Sequence, residues 1–288
     1  MVIKVINSMK AELKKALFNK MFCLSLIIGI AICILDVVQN AEAVARLTSI
    51  LENSDDTINK TAEGFSLFVR WIAVNGYTFG NYAFYLVWPI LAAIPYGWSY
   101  AEDRKSGVYN QVVTRIGAKK YFVAKYMAVF ISGGLAIAIP VLVNLLINAL
   151  VCPYCVPSVV MSLTSITNGY FLSELYYSNP WSFGILWCGV EFLWGGTIAA
   201  ICLAVGTKFR HQVMVVIFPF VSLLIMDALS SVLASMGLMG NIEISPLRLA
   251  QAAPDSANPT WIVFSVIGIC VLVSTIFGYW QVVKREFS

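Results

Sequence analysis

Charge is scarce in this chain of 288 residues: Asp, Glu, Lys and Arg together make up 12% of it, about half the roughly 25% of an ordinary soluble domain. There is one histidine, His211, and there is no Gly/Ser-rich linker and no internal repeat. No G-x-x-x-x-G-K-[ST] phosphate loop occurs, so the chain does not hold ATP in that way. What it has instead is apolar surface, with 59% hydrophobic residues and a mean hydropathy of +0.80. A soluble protein of that composition would have too little polar surface to present to water, and a disordered chain needs the opposite balance.

The apolar residues come in blocks. No charge interrupts 48 residues between Lys125 and Glu174, 31 between Arg70 and Glu102, or 28 between Asp255 and Lys284, and each block can hold a spanning helix of about 20 residues. Six spans are predicted: Met21 to Val38, Tyr82 to Tyr100, Tyr126 to Val151, Trp181 to Val205, Val213 to Leu233 and Trp261 to Val282. Pro89, Pro95, Pro140 and Pro219 fall inside them, which packed neighbours tolerate in a membrane. The blocks are too long and too aliphatic for barrel strands. The expected fold is therefore an all-α integral membrane protein.

Loops rich in Lys and Arg stay cytoplasmic. Fifteen of the nineteen basic residues fall on one alternating face, in the N-terminal segment, the stretch from Arg104 to Lys125, the pair Lys208 and Arg210, and the tail with Lys284 and Arg285. Arg46, Lys60, Arg70 and Arg248 fall on the other. Both termini are thus expected in the cytoplasm of a plasma-membrane protein. A seventh span through Val159 to Leu163 would reverse everything after it, so that stretch reads as an outer loop or interfacial helix. The net charge of +4 follows from this bias and calls for no nucleic-acid partner.

The predicted organisation is an interfacial helix over residues 1–20 and a membrane domain over 21–288, with a cytoplasmic loop at 101–125 and outer loops at 39–81, 152–180 and 234–260. Ile3, Ile6, Met9, Leu13, Ala16 and Leu17 recur at helical spacing with lysines opposite, the pattern of a helix lying on the membrane surface. Ala41-Glu42-Ala43 has the look of a signal-peptidase site, but the patterned region of about 20 residues before span one favours an uncleaved anchor. The first outer loop carries Glu42, Glu52, Asp55, Asp56 and Glu63, then an aromatic tail with Phe65, Phe68 and Trp71 suited to the outer interface.

Five of the seven cysteines lie in spans as small apolar fillers. Cys152 and Cys155 have the spacing of a dithiol site at the outer end of span three, where a disulfide could persist. A redox site, a structural disulfide and free thiols all remain open; with only His211 elsewhere, a four-ligand zinc site does not. Asp36, Glu191 and Asp227 are acids within spans that contain no Lys or Arg. Each is expected to face the bundle interior, a wet cavity or a subunit interface, or to be held protonated by desolvation. They either line a translocation path for a cationic or amide-bearing substrate, respond to protons, or bond a neighbouring helix. Gly133, Gly134, Gly195 and Gly196 would let helices approach closely, within one chain or across a dimer seam.

The loop after span two runs Tyr100-Ala101-Glu102-Asp103-Arg104-Lys105-Ser106-Gly107, then Val112-Val113-Thr114-Arg115, Tyr121 and Ala124-Lys125. It reads as acids capping a short helix, a Gly that permits a tight backbone, and a basic run before the next span. With the interfacial N-terminal helix and six spans, it resembles the ABC type-2 permeases, the membrane subunits of ATP-driven exporters. Their first cytoplasmic loop has an acid, a Gly five residues later, an Arg and then a Lys; the matching residues here are Glu102, Gly107, Arg115 and Lys125. Thr114 stands where the family often has Pro.

The resemblance implies that this loop, with Glu102, Asp103, Gly107, Arg115 and Lys119, forms a coupling helix that docks on a separate ABC ATPase subunit. ATP and Mg would be bound by that partner, and this chain would hold no cofactor and catalyse no reaction itself. It further implies a second permease subunit, a re-entrant segment near Pro246, and export of a lipophilic or amphipathic substrate such as a drug, peptide or lipid-like molecule. Two other classes compete: a membrane thiol oxidoreductase built on Cys152 and Cys155, and a proton-coupled secondary carrier using Glu191 and Asp227. The paired repeats with interrupted helices expected of such a carrier are not seen.

Overall fold

In the computed structural model, the described residues are 2–52, 66–157, 166, 171–209, 211–237, 243–252 and 260–286. Asp55, Asp56, Lys60, Glu63 and Phe65 of the first outer loop, Val159 to Leu163, Arg210, Pro254 and Pro259 lie outside them. Among the described residues all regular structure is helical. The order is α1 (Val2–Leu17), α2 (Lys20–Glu52), α3 (Leu67–Arg70), α4 (Phe79–Ala93), α5 (Ser99–Lys105), α6 (Val108–Ile116), α7 (Ala118–Val151), α8 (Ser173–Ser178), α9 (Pro180–Lys208), α10 (Gln212–Ser235), α11 (Pro246–Leu249) and α12 (Thr260–Glu286).

Among the described residues five helices are long and apolar enough to cross a membrane: α2 over Lys20–Arg46, α7, α9, α10, and α12 over Trp261–Lys284. The expected second span is not one continuous helix. The 15 residues of α4 rise only ~22 Å, against a hydrocarbon core of about 30 Å. Residues 94–98 then form a turn before α5, where Pro95 offers no amide for a further helical bond. Conversely, α2 does not stop at Val38. It runs for 33 residues because Gln39 to Arg46 is Ala-rich and carries an exposed Glu42–Arg46 pair one turn apart at 3.8 Å. Lys119, Lys120 and Lys125 likewise belong to the first turns of α7 and not to a loop.

Among the described residues two main apolar cores lie along the bundle, beside a small third cluster of Ala93, Ala101, Cys202 and Val215. The larger contains Trp71, Trp88, Trp187, Trp194, Phe183 and Val141, and the smaller contains Tyr96, Tyr100, Tyr121, Phe122, Leu203 and Val282. Because the second core gathers α1, the start of α7, the end of α9 and the end of α12, the basic segments converge at one end of the bundle. Between the two cores α7 and α9 touch backbone to backbone. A Cβ on Gly133 would lie 2.3 Å from Ala199 Cβ and 2.9 Å from Gly195 O, and one on Gly195 would lie 2.6 Å from Gly133 O. The glycines thus serve packing inside one chain.

Candidate functional site

Helices α5 and α6 form an elbow at the basic end. Its bend is Gly107, at φ +79°, in the left-handed region that costs a side-chain-bearing residue about 1–2 kcal/mol. No atom lies within 4 Å of where a Cβ would stand, so the position demands a backbone conformation and not close approach. Glu102 does not cap α5: the N-cap is Trp98, without a side-chain cap bond. The Glu102 carboxylate instead accepts a hydrogen bond from Gln212 at the start of α10. Arg104 donates to the Thr207 carbonyl near the end of α9 at 2.7 Å, where a cation also suits the helix terminus.

Asp103 anchors the elbow most deeply. Its carboxylate accepts hydrogen bonds from Lys125 and from the Tyr121 hydroxyl, both on α7. The Lys125 ammonium is fully buried, donates to Tyr121 Oη at 3.0 Å and lies 3.3 Å from Glu12 Oε2 on α1. Glu12 also accepts from the Tyr96 hydroxyl at 2.8 Å and from Lys15 at 2.9 Å. The aromatic faces of Tyr96 and Tyr121 stand 5.1 and 5.2 Å from the same ammonium. Burial pushes the Glu12 carboxyl up, but Lys125, with Lys15 and Tyr96, outweighs it and holds the group below its ordinary value. One buried cation therefore ties α1, α5 and α7 together.

By contrast α6 has no buried residue. Tyr109 rests against Tyr100 and Tyr121 at ring distances of 5.6 and 5.7 Å, while Asn110, Gln111, Thr114 and Arg115 face outward, as does Lys119 at the start of α7. A notch of about 370 Å³ between α1 and α6 is lined by Asn7, Ser8, Gln111 and Arg115 among others. The arrangement is a polar, exposed lever carried on a braced arm.

The three acids of the spans do not meet in one site. Glu191 is fully buried between α4 and α9. Its Oε1 accepts from the Tyr85 hydroxyl at 2.6 Å, and Oε2 has no hydrogen-bond partner among the described residues. Among the described residues the N–H groups of Trp88 and Trp194 also have no partner, while that of Trp187 approaches the Glu191 carboxylate. These three tryptophans are all buried. They share helical spacing with Tyr85 or Glu191 on the two helices, so one mid-bundle cluster holds a carboxylate and spare donors. Asp36 is different, a satisfied hub. It accepts from the Thr78 hydroxyl, from Asn144 at 2.9 Å and from Asn40 at 3.2 Å, joining α2 to α7 and to the cap of α4.

Asp227 is only partly buried, with 30% of its side chain exposed. Its Oδ1 accepts from Arg248 Nε at 3.0 Å and from the Ser245 hydroxyl at 2.9 Å, and Arg248 reaches Glu243 at 3.4 Å. The basic partner missing from the spans is supplied from α11, outside them, and the pair pins that segment to α10. Cys152 and Cys155 are unbridged. Cys152 is buried with its thiol pushed up by that burial and its sulfur 3.9 Å from Asn148 Oδ1, while the Cys155 sulfur lies 3.8 Å from the Val156 carbonyl. Among the described residues no group of three or more His, Cys, Asp or Glu could hold a metal ion.

Sequence reasoning missed Glu12 and Tyr96, and singled out Tyr121 without a role. A signal for Glu12 was present, since it stands between Met9 and Ala16 at helical spacing, on the apolar stripe. Compared with known proteins, the chain matches no protein-family model and no curated protein.

Proposed function

We propose that this chain is the membrane-spanning permease subunit of an ABC-type exporter. It would work in a plasma membrane with both termini in the cytoplasm, beside a second permease subunit. A separate ATPase subunit would bind ATP and Mg and grip the α5–α6 elbow, and the cargo would be lipophilic or amphipathic. The observation that carries this reading is the division of labour within the elbow. α6 offers Asn110, Gln111, Thr114 and Arg115 to the outside, while α5 is fastened to α1, α7, α9 and α10 through Asp103, Arg104 and Glu102. A push on α6 would reach four helices through α5, which is what a two-state bundle driven from outside requires.

The carrier reading draws on one observation, the Glu191 oxygen without a close partner; Asp227 is ion-paired with Arg248. To test the permease reading, Gly107→Trp is coexpressed with a candidate ATPase, and copurification and substrate-stimulated hydrolysis are measured. Loss of stimulation with the bundle still folded is expected. Wild-type copurification together with wild-type stimulation would remove the elbow from the mechanism and the reading with it.

A further inference from the structure

On the flank of the bundle nearest its basic end, α10 and α12 both pack on α9 and leave a groove of about 410 Å³ between them. Ile201, Ala204 and Val205 of α9 form its floor, Phe218 of α10 one wall, and Val273 and Phe277 of α12 the other. Ser274 also lines it, but its hydroxyl is committed to the Val271 carbonyl at 3.0 Å. Apart from the weakly polar Cys270 thiol, the remaining polar group is the Lys208 ammonium, at the end of the groove. It is exposed, lies 5.9 Å from the Phe209 ring, and makes no ion pair among the described residues.

Helices α9 and α12 run in the same direction, from the larger core to the smaller. Their register is fixed where a Cβ on Gly278 would stand 3.6 Å from Ala204 Cα. Lys208 then lies ~6 Å beyond that level and Lys284 ~9 Å beyond it. Lys284 is also exposed, with its ammonium 5.2 Å from the Trp280 ring. The Lys208 ammonium thus lines the end of the apolar slot, and Lys284 follows on α12 about 3 Å farther along the bundle.

We infer that this groove is a binding site for one anionic phospholipid, with an acyl chain against Val205, Val273 and Phe277 and the phosphate between Lys208 and Lys284. The walls offer water no hydrogen bonds, so in a bilayer the slot is filled by hydrocarbon. The charge at its mouth is what selects the head group: a basic pocket between transmembrane helices favours an anionic lipid over a zwitterionic one, by about fivefold for each lysine near the phosphate. A second copy of the same face would bring lysines toward lysines. The inference needs only that the chain sits in a membrane, so it stands or falls apart from the exporter reading.

The test uses the full chain in mild detergent. Phosphatidylglycerol or phosphatidylcholine with identical acyl chains is added, and retained lipid is read by native mass spectrometry, with size-exclusion profiles reporting folding and oligomeric state. Wild type is expected to retain phosphatidylglycerol at least tenfold better. Lys208→Gln should lower that preference about fivefold while leaving some lipid bound. Val273→Trp and Ile269→Trp, both at solvent-accessible wall positions (61% and 60% exposed), should fill the slot and abolish retention with the elution profile unchanged. Equal retention of the two lipids by wild type, or phosphatidylglycerol retention indifferent to all three substitutions, would overturn the assignment. So would a dimer that dissociates in the Trp variants, which would make the slot a subunit interface.

Discussion

Replacing Lys125 with Met is the most informative single change at the basic end. The side chain is fully buried, and it faces Glu12 at 7% and Asp103 at 21% exposure. Removing one partner of a buried ion pair leaves an uncompensated charge and costs about 3–5 kcal/mol. The lower end applies here, because Lys15 still reaches Glu12 at 2.9 Å and Tyr121 still donates to Asp103. At about 2 °C per kcal/mol for a large chain, a loss of about 3 kcal/mol is a fall of roughly 6 °C in the melting temperature of the purified protein in detergent. Adding Glu12→Gln to Lys125→Met should recover part of that fall, since one stranded charge is gone. The proton linkage gives a second arm. Because the Glu12 carboxyl is held below its ordinary value of 4.5 in the folded chain, its stabilising contribution is present above that pH and lost as the pH falls through the folded value. Wild type should therefore lose melting temperature below about pH 4.5, and Glu12→Gln should flatten that part of the profile. If Lys125→Met melts within 1 °C of wild type, or the double variant is no better than the single, the network does not clamp α1 to the elbow.

Three further outcomes are expected. Glu191→Gln keeps the bond to Tyr85 and should melt close to wild type, whereas Glu191→Leu leaves another buried donor stranded and should cost about 1–3 kcal/mol; a transport defect in Glu191→Gln with normal assembly would give the charge itself a role. Arg248→Met should remove the ion pair that ties the segment around α11 to Asp227 of α10 and raise its amide exchange in hydrogen–deuterium mass spectrometry, with no change in α7 or α9; unchanged exchange at α11 would refute the tether. At neutral pH a maleimide should modify Cys155 well before Cys152, whose thiol is buried and pushed up; equal rates would contradict that placement.

Hydrophobic length made the membrane helices legible, because a run of twenty apolar residues needs no tertiary information to be recognised. The break after α4 was less so: Pro89 and Pro95 sit alike in the sequence, yet α4 runs through the first and a turn holds the second. Burial of Glu191 was legible from its position in an apolar run. The fates of Asp36 and Asp227 were not, since their partners lie far along the chain: Asn144 is 108 residues from Asp36 and Arg248 is 21 from Asp227. The same limit hid the elbow's brace. Lys125 reads as one more basic residue before a span, and only the fold brings Glu12 and Asp103 to it from two other helices.

The contact between Gly133 and Gly195 has a mechanical consequence. Where a carbonyl oxygen of one helix rests in the space another helix leaves by having no side chain, the two cannot slide by a turn or roll past one another without collision, so α7 and α9 move as a single post. α10 and α12 present most of their surface outward; α12 is keyed to that post only at Gly278, against Phe122 and Ala204, and contacts through side chains can shear by small steps. Any change of shape in this bundle is then a swing of light outer staves about a rigid mast, and the elbow, with Asp103 on the mast at Lys125 and Glu102 on a stave at Gln212, spans the joint between them.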